Sequence, residues 1–419
     1  MPFGRQTWVV AHRWAGLSLA LFLTLAGFTG ALMAFYDELE SLIAPQLHIV
    51  QPPSAQAELL DPIELRELVQ AAYPGAVINY LPLHLEHGRA LKLDIRRIDA
   101  AGRIGPWSPQ VDEVFVDPYT GRVLAERLWG DISQGSINIM PFVYRLHYTL
   151  LADKTGRYVL GIAALIWVLD TFIGFYLTLP ARFGPSWGSR WKPSWLVRWT
   201  GGETKLTFDL HRAGGLWLWP ILFVFAWSSV MFNLKEVYDP VMRMFGAEKL
   251  QDGLTTLARP RHEPQLDFAA AAIRGRELAA SEGAQRGLTL DPNRLSALSY
   301  RPAVGAYVYY FSTDRDFTGR GGRSLVVFDG DSGALRKLLL PQGANGANTF
   351  TEWLIALHMA RVWGLPYRMA VTAIGLMVTV LSVTGVLIWM RKRQARSLAA
   401  EKVNRRRLAD SQPALAPSE

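Results

Sequence analysis

Four stretches of this chain are long and apolar enough to cross a bilayer, and a histidine stands close to one end of each. Ala15 to Tyr36, Ala213 to Leu234 and Met369 to Met390 contain no charged residue, while Tyr158 to Leu179 contains one, Asp170. A spanning helix needs roughly 20 apolar residues, because hydrocarbon offers no partner to an open backbone N–H or C=O. The pattern therefore predicts four membrane helices. His12 and His211 precede the first and third stretches, and His147 and His358 precede the second and fourth. Ionisable side chains at such positions are costly unless paired or liganded, so the four histidines are functional candidates.

The rest of the composition fits this reading. The spans leave about 230 residues between them, enough for two small water-soluble domains. The chain has no cysteine, which excludes disulfides, thiolate metal sites and iron–sulfur clusters. Arg5 and Arg13 before an apolar core resemble a signal peptide, but the core is longer than an h-region, so a retained helix is expected. Short segments obey the positive-inside rule. The connector 181–208 carries Arg182, Arg190, Lys192, Arg198 and Lys205 against Glu203, and the tail opens Arg391, Lys392, Arg393. Both termini and the connector are thus expected in the cytoplasm, with 37–157 and 235–367 outside it. The net charge of +8 needs no nucleic-acid partner, because basic loops fix orientation and meet anionic membrane lipid.

An internal repeat organises the chain. His12-Arg-Trp-Ala-Gly-Leu17 recurs as His211-Arg-Ala-Gly-Gly-Leu216; Val114 to Leu124 recurs as Val326 to Leu335; Leu146-His147 recurs as Leu357-His358. The offsets of 199, 212 and 211 residues keep order and spacing, which reads as one unit used twice. Each external segment predicts a helix, Pro62 to Ala72 or Phe268 to Ala280, followed by strands. The strands are Leu91 to Ile95 and Val111 to Val116, then Ala306 to Phe311 and Ser324 to Phe328. Asp117 to Gly121 and Asp329 to Gly333 have tight-turn chemistry, and the second is too short for the ligand set of a calcium loop.

The expected layout is a transmembrane helix over 8–36, an external domain over 37–157, a second helix over 158–180 and a cytoplasmic connector over 181–208. A third helix over 209–234, a second external domain over 235–367, a fourth helix over 368–391 and a basic tail over 392–419 complete it.

These pieces together carry a family resemblance. They are Leu146-His147 with Gly156-Arg157-Tyr158 before a helix ending Leu179-Pro180-Ala181-Arg182, His211-Arg212 with Gly214, Gly215 and Leu216, and Leu357-His358 with Gly364-Leu365-Pro366 and Ser382 to Leu387 before Trp389. From about residue 8 to 394 the chain resembles the PepSY-associated transmembrane proteins, an iron-regulated inner-membrane group that includes ferrisiderophore reductases. The resemblance implies an α-helical membrane protein of the bacterial inner membrane. It would have four transmembrane helices from an internal duplication, two periplasmic α+β PepSY-like domains and haem b. Asp170 departs from the pattern, where an apolar residue is expected.

Sidedness permits one economical pairing of the histidines, His12 with His211 at the cytoplasmic face and His147 with His358 at the periplasmic face. Two bis-histidine haems would be coordinatively saturated, which suits electron transfer rather than oxygen chemistry. Arg145, Arg157, Arg361 and Arg368 adjoin the outer pair and suit either haem propionates or lipid phosphates. For the inner Arg13 and Arg212 a lipid anchor is favoured. Met140 and Met359 raise His/Met ligation, although Met359 points away from its histidine neighbour. Trp187, Trp191, Trp195 and Trp199, spaced by four, read as a headgroup-level segment or as a docking site for an electron donor. Asp170 is expected to bond Ser228, Ser229 or Trp227. His48, His84, His87 and His262 are expected to be solvated.

The resemblance implies a haem-dependent ferric-siderophore reductase that passes electrons outward, with the electron donor left open. A quinone or flavoprotein oxidoreductase with another periplasmic acceptor, and a non-enzymatic PepSY binding module, remain the alternatives.

Overall fold

The computed structural model describes residues 4–98, 104–182, 184–291, 294, 296–318 and 323–410, so the last part of the basic tail, 411–419, lies outside the described residues. The chain divides into two compact units. One comprises Met1–Ala31, Tyr158–Val230 and Thr372–Glu419, and the other Leu32–Arg157 and Met231–Val371.

Among the described residues, three helices are long and apolar enough to cross a membrane: Arg5–Met33, Asp153–Thr178 and the helix that begins at Gly364. The expected third span is instead a bent pair, Glu203–Trp217 and Trp219–Asn233, with 71° between its halves. Pro220 explains the break. It has no N–H to continue the ladder and its ring meets the carbonyl four residues earlier, so it is tolerated only in the first turn of a new helix. Hydropathy is blind to this, because proline interrupts geometry without interrupting the apolar run.

Small residues bring the first and last spanning helices together. A Cβ at Gly27 would stand 2.5 Å from the Gly375 carbonyl oxygen, and one at Gly375 would stand 2.6 Å from that of Gly27. Thr379 Oγ1 donates to the Thr24 carbonyl at 3.3 Å and Thr372 Oγ1 to that of Ala31 at 3.2 Å. Lipid is as apolar as a leucine side chain, so close backbone approach and such bonds, rather than hydrophobic burial, hold membrane helices together.

The tryptophan segment folds as a short helix, Trp187–Trp191, and one tight turn, Lys192–Trp195. Successive rings of Trp187, Trp191 and Trp195 lie 5.1 Å apart. Trp191 Nε1 donates to Thr178 Oγ1 at 3.2 Å, which pins the ladder to the end of the second spanning helix. Trp199 remains 72% exposed.

The second unit, labelled external because it is made of the segments expected outside the cytoplasm, holds all ten strands among the described residues. Those of the first segment are β1 (Tyr80–Pro82), β2 (Leu91–Asp94), β3 (Arg96–Ile98), β4 (Ile104–Pro106), β5 (Glu113–Val116) and β6 (Val123–Arg127). The second segment supplies β7 (Ala297–Arg301), β8 (Ala306–Phe311), β9 (Ser324–Asp329) and β10 (Leu335–Leu339). They form sheets of order β1-β7-β8-β9-β10, β2-β5-β6 and β3-β4.

The two external segments, expected as separate domains, are joined in one unit. Strand β1 pairs with β7 in the register Tyr80 to Ser299, Leu81 to Leu298 and Pro82 to Ala297. A single apolar core draws Leu65, Val69, Ile78 and Leu93 from one segment and Ala271, Tyr307, Val326 and Phe328 from the other.

The two predicted hairpin turns have the same construction. Asp117 Oδ1 accepts the Tyr119 N–H, Asp329 Oδ1 accepts those of Asp331 and Ser332, and Gly121 and Gly333 take φ of +70° and +68°. Deeper in the unit, Arg127 is 1% exposed and paired at 2.7 Å with both Glu40 and Glu113. His48 is part of this polar core rather than solvated: its ring meets Phe115 edge-on at 5.2 Å and lies 3.6 Å from Glu40.

Candidate functional site

The first spanning helix carries His12, and the proximal half of the bent pair carries His211. Their ring centres stand 6.1 Å apart. His147 sits in a helix over Ile139–Thr149 and His358 ends a helix over Gly346–His358, with 6.4 Å between their ring centres. A metal–imidazole bond is about 2.0–2.1 Å, and a ring nitrogen lies about 1.1 Å from its ring centre, so two imidazoles trans on one metal hold their centres about 6.2–6.4 Å apart. Both predicted pairs are brought together, the outer at that separation and the inner about 0.1 Å short of it.

Hydrogen bonds fix which nitrogen of the inner rings is free. His12 Nδ1 lies 2.9 Å from Asp170 Oδ1, and His211 Nδ1 lies 2.9 Å from the Leu381 carbonyl oxygen. A carboxylate and a carbonyl only accept, so each Nδ1 carries a proton, and in the neutral ring Nε2 is then the nitrogen with the lone pair. That is the tautomer a metal-binding histidine needs, with its other N–H held by an acceptor. Asp170 therefore bonds His12 rather than the residues of the distal helix half. The Ser228 hydroxyl donates to the carbonyls of Val224 and Phe225.

Four glycines shape the space around these rings. An added Cβ at Gly174 would stand 3.5 Å from His12 Cε1, and one at Gly385 would stand 3.2 Å from His211 Cε1. At Gly16 and Gly215, each four residues after its histidine, an added Cβ would enter open space. All four line a cavity of about 460 Å³ whose apolar walls include Trp167, Trp219 and Leu222. This volume lies within the range of cofactor sites, roughly 300–1,000 Å³. Arg5, Arg13, Arg212 and Lys392 line it too. Arg212 already donates to Asp209 at 2.9 Å, and Arg5 to the Leu177 carbonyl at 2.6 Å.

Gly16, Gly215 and Gly385 stand in the repeat and in the motifs of the resemblance without a role assigned from sequence, and Gly174 and the contact of Asp170 with His12 are not legible there. For Gly16 and Gly215 the signal was present in the repeat, since His12 to Gly16 and His211 to Gly215 have the same spacing, and one face of a helix repeats every three to four residues.

The outer pair is built differently. The Phe232 ring packs edge-on against His358 at 5.2 Å. Burial, with His147 adding to it, pushes His358 down to about 3, so its imidazole is neutral at physiological pH. Among the described residues, the five non-glycine positions with positive φ all follow these two histidines: Leu150, Leu151 and Asp153, then Ala360 and Trp363. Such conformations cost of order 1–3 kcal/mol each and persist where the surroundings impose them. They turn the chain sharply from each histidine helix into the next spanning helix.

The four candidate arginines around the outer pair divide. Arg145 is engaged with Asp153 at 3.0 Å, and Arg368 forms a two-pronged contact with Glu38 while donating to the Ala34 carbonyl at 2.8 Å. Arg157 opens the second spanning helix, and Arg361 lies close enough to Glu352 to act on its carboxyl. His87 Nδ1 lies 3.5 Å from the Tyr119 hydroxyl.

The family model described as PepSY-associated TM region matches residues 9–392. The chain belongs to that family. The PepSY-associated match spans both histidine pairs and nearly the whole chain, and with the apolar helices it makes this a membrane protein. No curated protein matches the chain.

Proposed function

We propose that this PepSY-associated protein is a di-haem oxidoreductase of the bacterial inner membrane that passes electrons to ferric siderophores in the periplasm. The observation that supports this most is the approach of two histidine pairs to 6.1 and 6.4 Å between ring centres, close enough for each pair to hold one haem iron. Haem b, which His12 with His211 and His147 with His358 would hold, would supply one-electron chemistry there.

The chain's own residues do the rest. Asp170 and the Leu381 carbonyl hold the inner imidazoles in the binding tautomer, Gly16 and Gly215 keep the adjoining space free, and the apolar wall excludes water. Arg13 and Lys392 at the cavity suit propionate carboxylates better than a pure lipid-anchor role does. The four spans, their origin by duplication, cytoplasmic termini and an external face at the outer pair complete the reading, and the repeat spacing and charge distribution support it.

The ferric-siderophore acceptor follows from the family resemblance and from ligand-exchange chemistry. Hard oxygen donors hold ferric iron tightly, and reduction to the larger, less charged ferrous ion loosens them. The test is direct. Purified protein expressed with ample haem should carry two low-spin b-type haems per chain, and the chemically reduced protein should be reoxidised by a ferric hydroxamate siderophore while a ferrous-iron trap develops colour. Reduced haems that persist with several siderophore classes yet oxidise rapidly with a quinone would replace the siderophore by a different acceptor. A colourless protein would end the haem reading.

A further inference from the structure

Asp170 occupies a position that the other half of the chain fills differently. It lies 211 residues before Leu381, the separation that also relates His147 to His358, and Gly174 lies the same distance before Gly385. In each half the inner histidine bonds the first of these residues through Nδ1 and stands over the glycine four residues on. The acceptor for His211 is a neutral backbone carbonyl. For His12 it is a carboxylate whose side chain is 9% exposed, on a helix otherwise apolar from Tyr158 to Leu179.

A buried carboxylate is expensive, and Leu381 shows that the repeat can orient its imidazole without one. The charge therefore has an effect beyond orientation. An anionic acceptor at Nδ1 draws the proton toward itself and leaves more electron density on Nε2, which raises the basicity of the ligand. A more basic axial nitrogen favours the ferric over the ferrous ion, because the extra positive charge of ferric iron is better neutralised.

We infer that Asp170 is a positioning residue for His12 that also lowers the reduction potential of the inner haem, an inference that rests on the haem reading above. The His211 side, with its neutral carbonyl, contributes orientation and a weaker push on the ligand. The two axial ligands of one site are thus unequal donors, and the inequality is written into a single residue of the second spanning helix.

The experiment is a potentiometric titration of purified full-length protein and of Asp170→Asn, with the haem α-bands as readout. The His147→Ala form, which retains the inner haem, identifies the inner midpoint. Asparagine keeps an oxygen that can accept from Nδ1 but removes the charge. The expected result is two haems retained, an upward shift of the inner midpoint and no shift of the outer one. A merely structural role would leave both midpoints in place, and that result overturns the inference while leaving the haem reading intact. Wild-type protein without haem overturns both. Should Asp170→Asn lose its inner haem, near-infrared magnetic circular dichroism of the His147→Ala form decides. A band displaced toward that of imidazolate ligation upholds the inference, and one at the position for two neutral imidazoles overturns it.

Discussion

The two histidine pairs share a ring separation and almost nothing else. The inner pair is held by spanning helices around an open apolar cavity, with each Nδ1 bonded to an acceptor and glycines on either side. The outer pair sits at the ends of two short helices in the external unit, beside Phe232, where the backbone turns through left-handed residues. Glycine and an acceptor side chain shape the first site, and backbone strain shapes the second. The repeat conserves histidine spacing within the chain, while the means of holding each ring is free to differ.

Removing one histidine at a time should separate the two sites most clearly. His12→Ala or His211→Ala should abolish the inner haem and leave the outer one, and His147→Ala or His358→Ala should do the reverse. Pyridine haemochrome content with low-spin spectra reads the result. A single substitution that empties both sites would show that the pairs are not independent, and so would contradict the division into two sites.

Next in size is the external unit's buried charge. Arg127 is 1% exposed, paired with Glu40 and Glu113, and donates to the Ile137 carbonyl at 2.7 Å. Arg127→Ala takes the buried guanidinium from two buried carboxylates, leaving Glu113 with Lys92 at 2.7 Å and Glu40 with His48 at 3.6 Å, and should destabilise this unit by about 3 kcal/mol, the lower end for a broken buried pair. Limited proteolysis of the external segments would reveal it. The inner haem spectrum should not change, because its ligands belong to the spanning helices.

A smaller effect is expected in the inner cavity. Gly215 faces open space, so Gly215→Leu should fold, yet its side chain would occupy volume beside His211. Overpacking costs of about 1–3 kcal/mol correspond to haem retention weakened by roughly 5- to 150-fold. Dissociation of haem to an apo-acceptor protein measures this, and unchanged retention would mean that the cavity is not where haem binds.

How much of this was legible in the sequence depends on the range of the interaction. The helix Pro62–Ala72 and the strand Ala306–Phe311 are found at their predicted bounds, because each is set by local periodicity and turn chemistry. The pairing of β1 with β7 was not legible. Tyr80–Pro82 is too short to show alternation, and its partner is more than two hundred residues away. The histidine pairs were readable because sidedness leaves few partners for an ionisable group in a membrane. The partner of Asp170 was not, since hydropathy gives the depth of a residue in a span but not the direction in which it faces. The bend before Trp219 was written in Pro220 and hidden by the apolar residues around it.

The smallest effect tests whether acid acts on the external unit without touching the inner site. Asp329 accepts the N–H groups of Ser332 and Asp331, and these bonds, with Arg336 nearby, hold its carboxyl near 2 against an ordinary 3.8. A carboxyl depressed in the folded state is more ionised there than in the unfolded chain, so its stabilisation is fully present above about pH 4. It is lost as the pH falls through 2. The side chain is 18% exposed, so screening reduces the contribution to about 1 kcal/mol. Asp329→Asn should therefore lower the stability of the external unit slightly at neutral pH and flatten its decline between pH 4 and 2, as followed by protease resistance of the external segments. The hairpin keeps Gly333 at φ +68°, so the turn itself should survive. An unchanged acid slope would assign the decline to other carboxylates of the same unit.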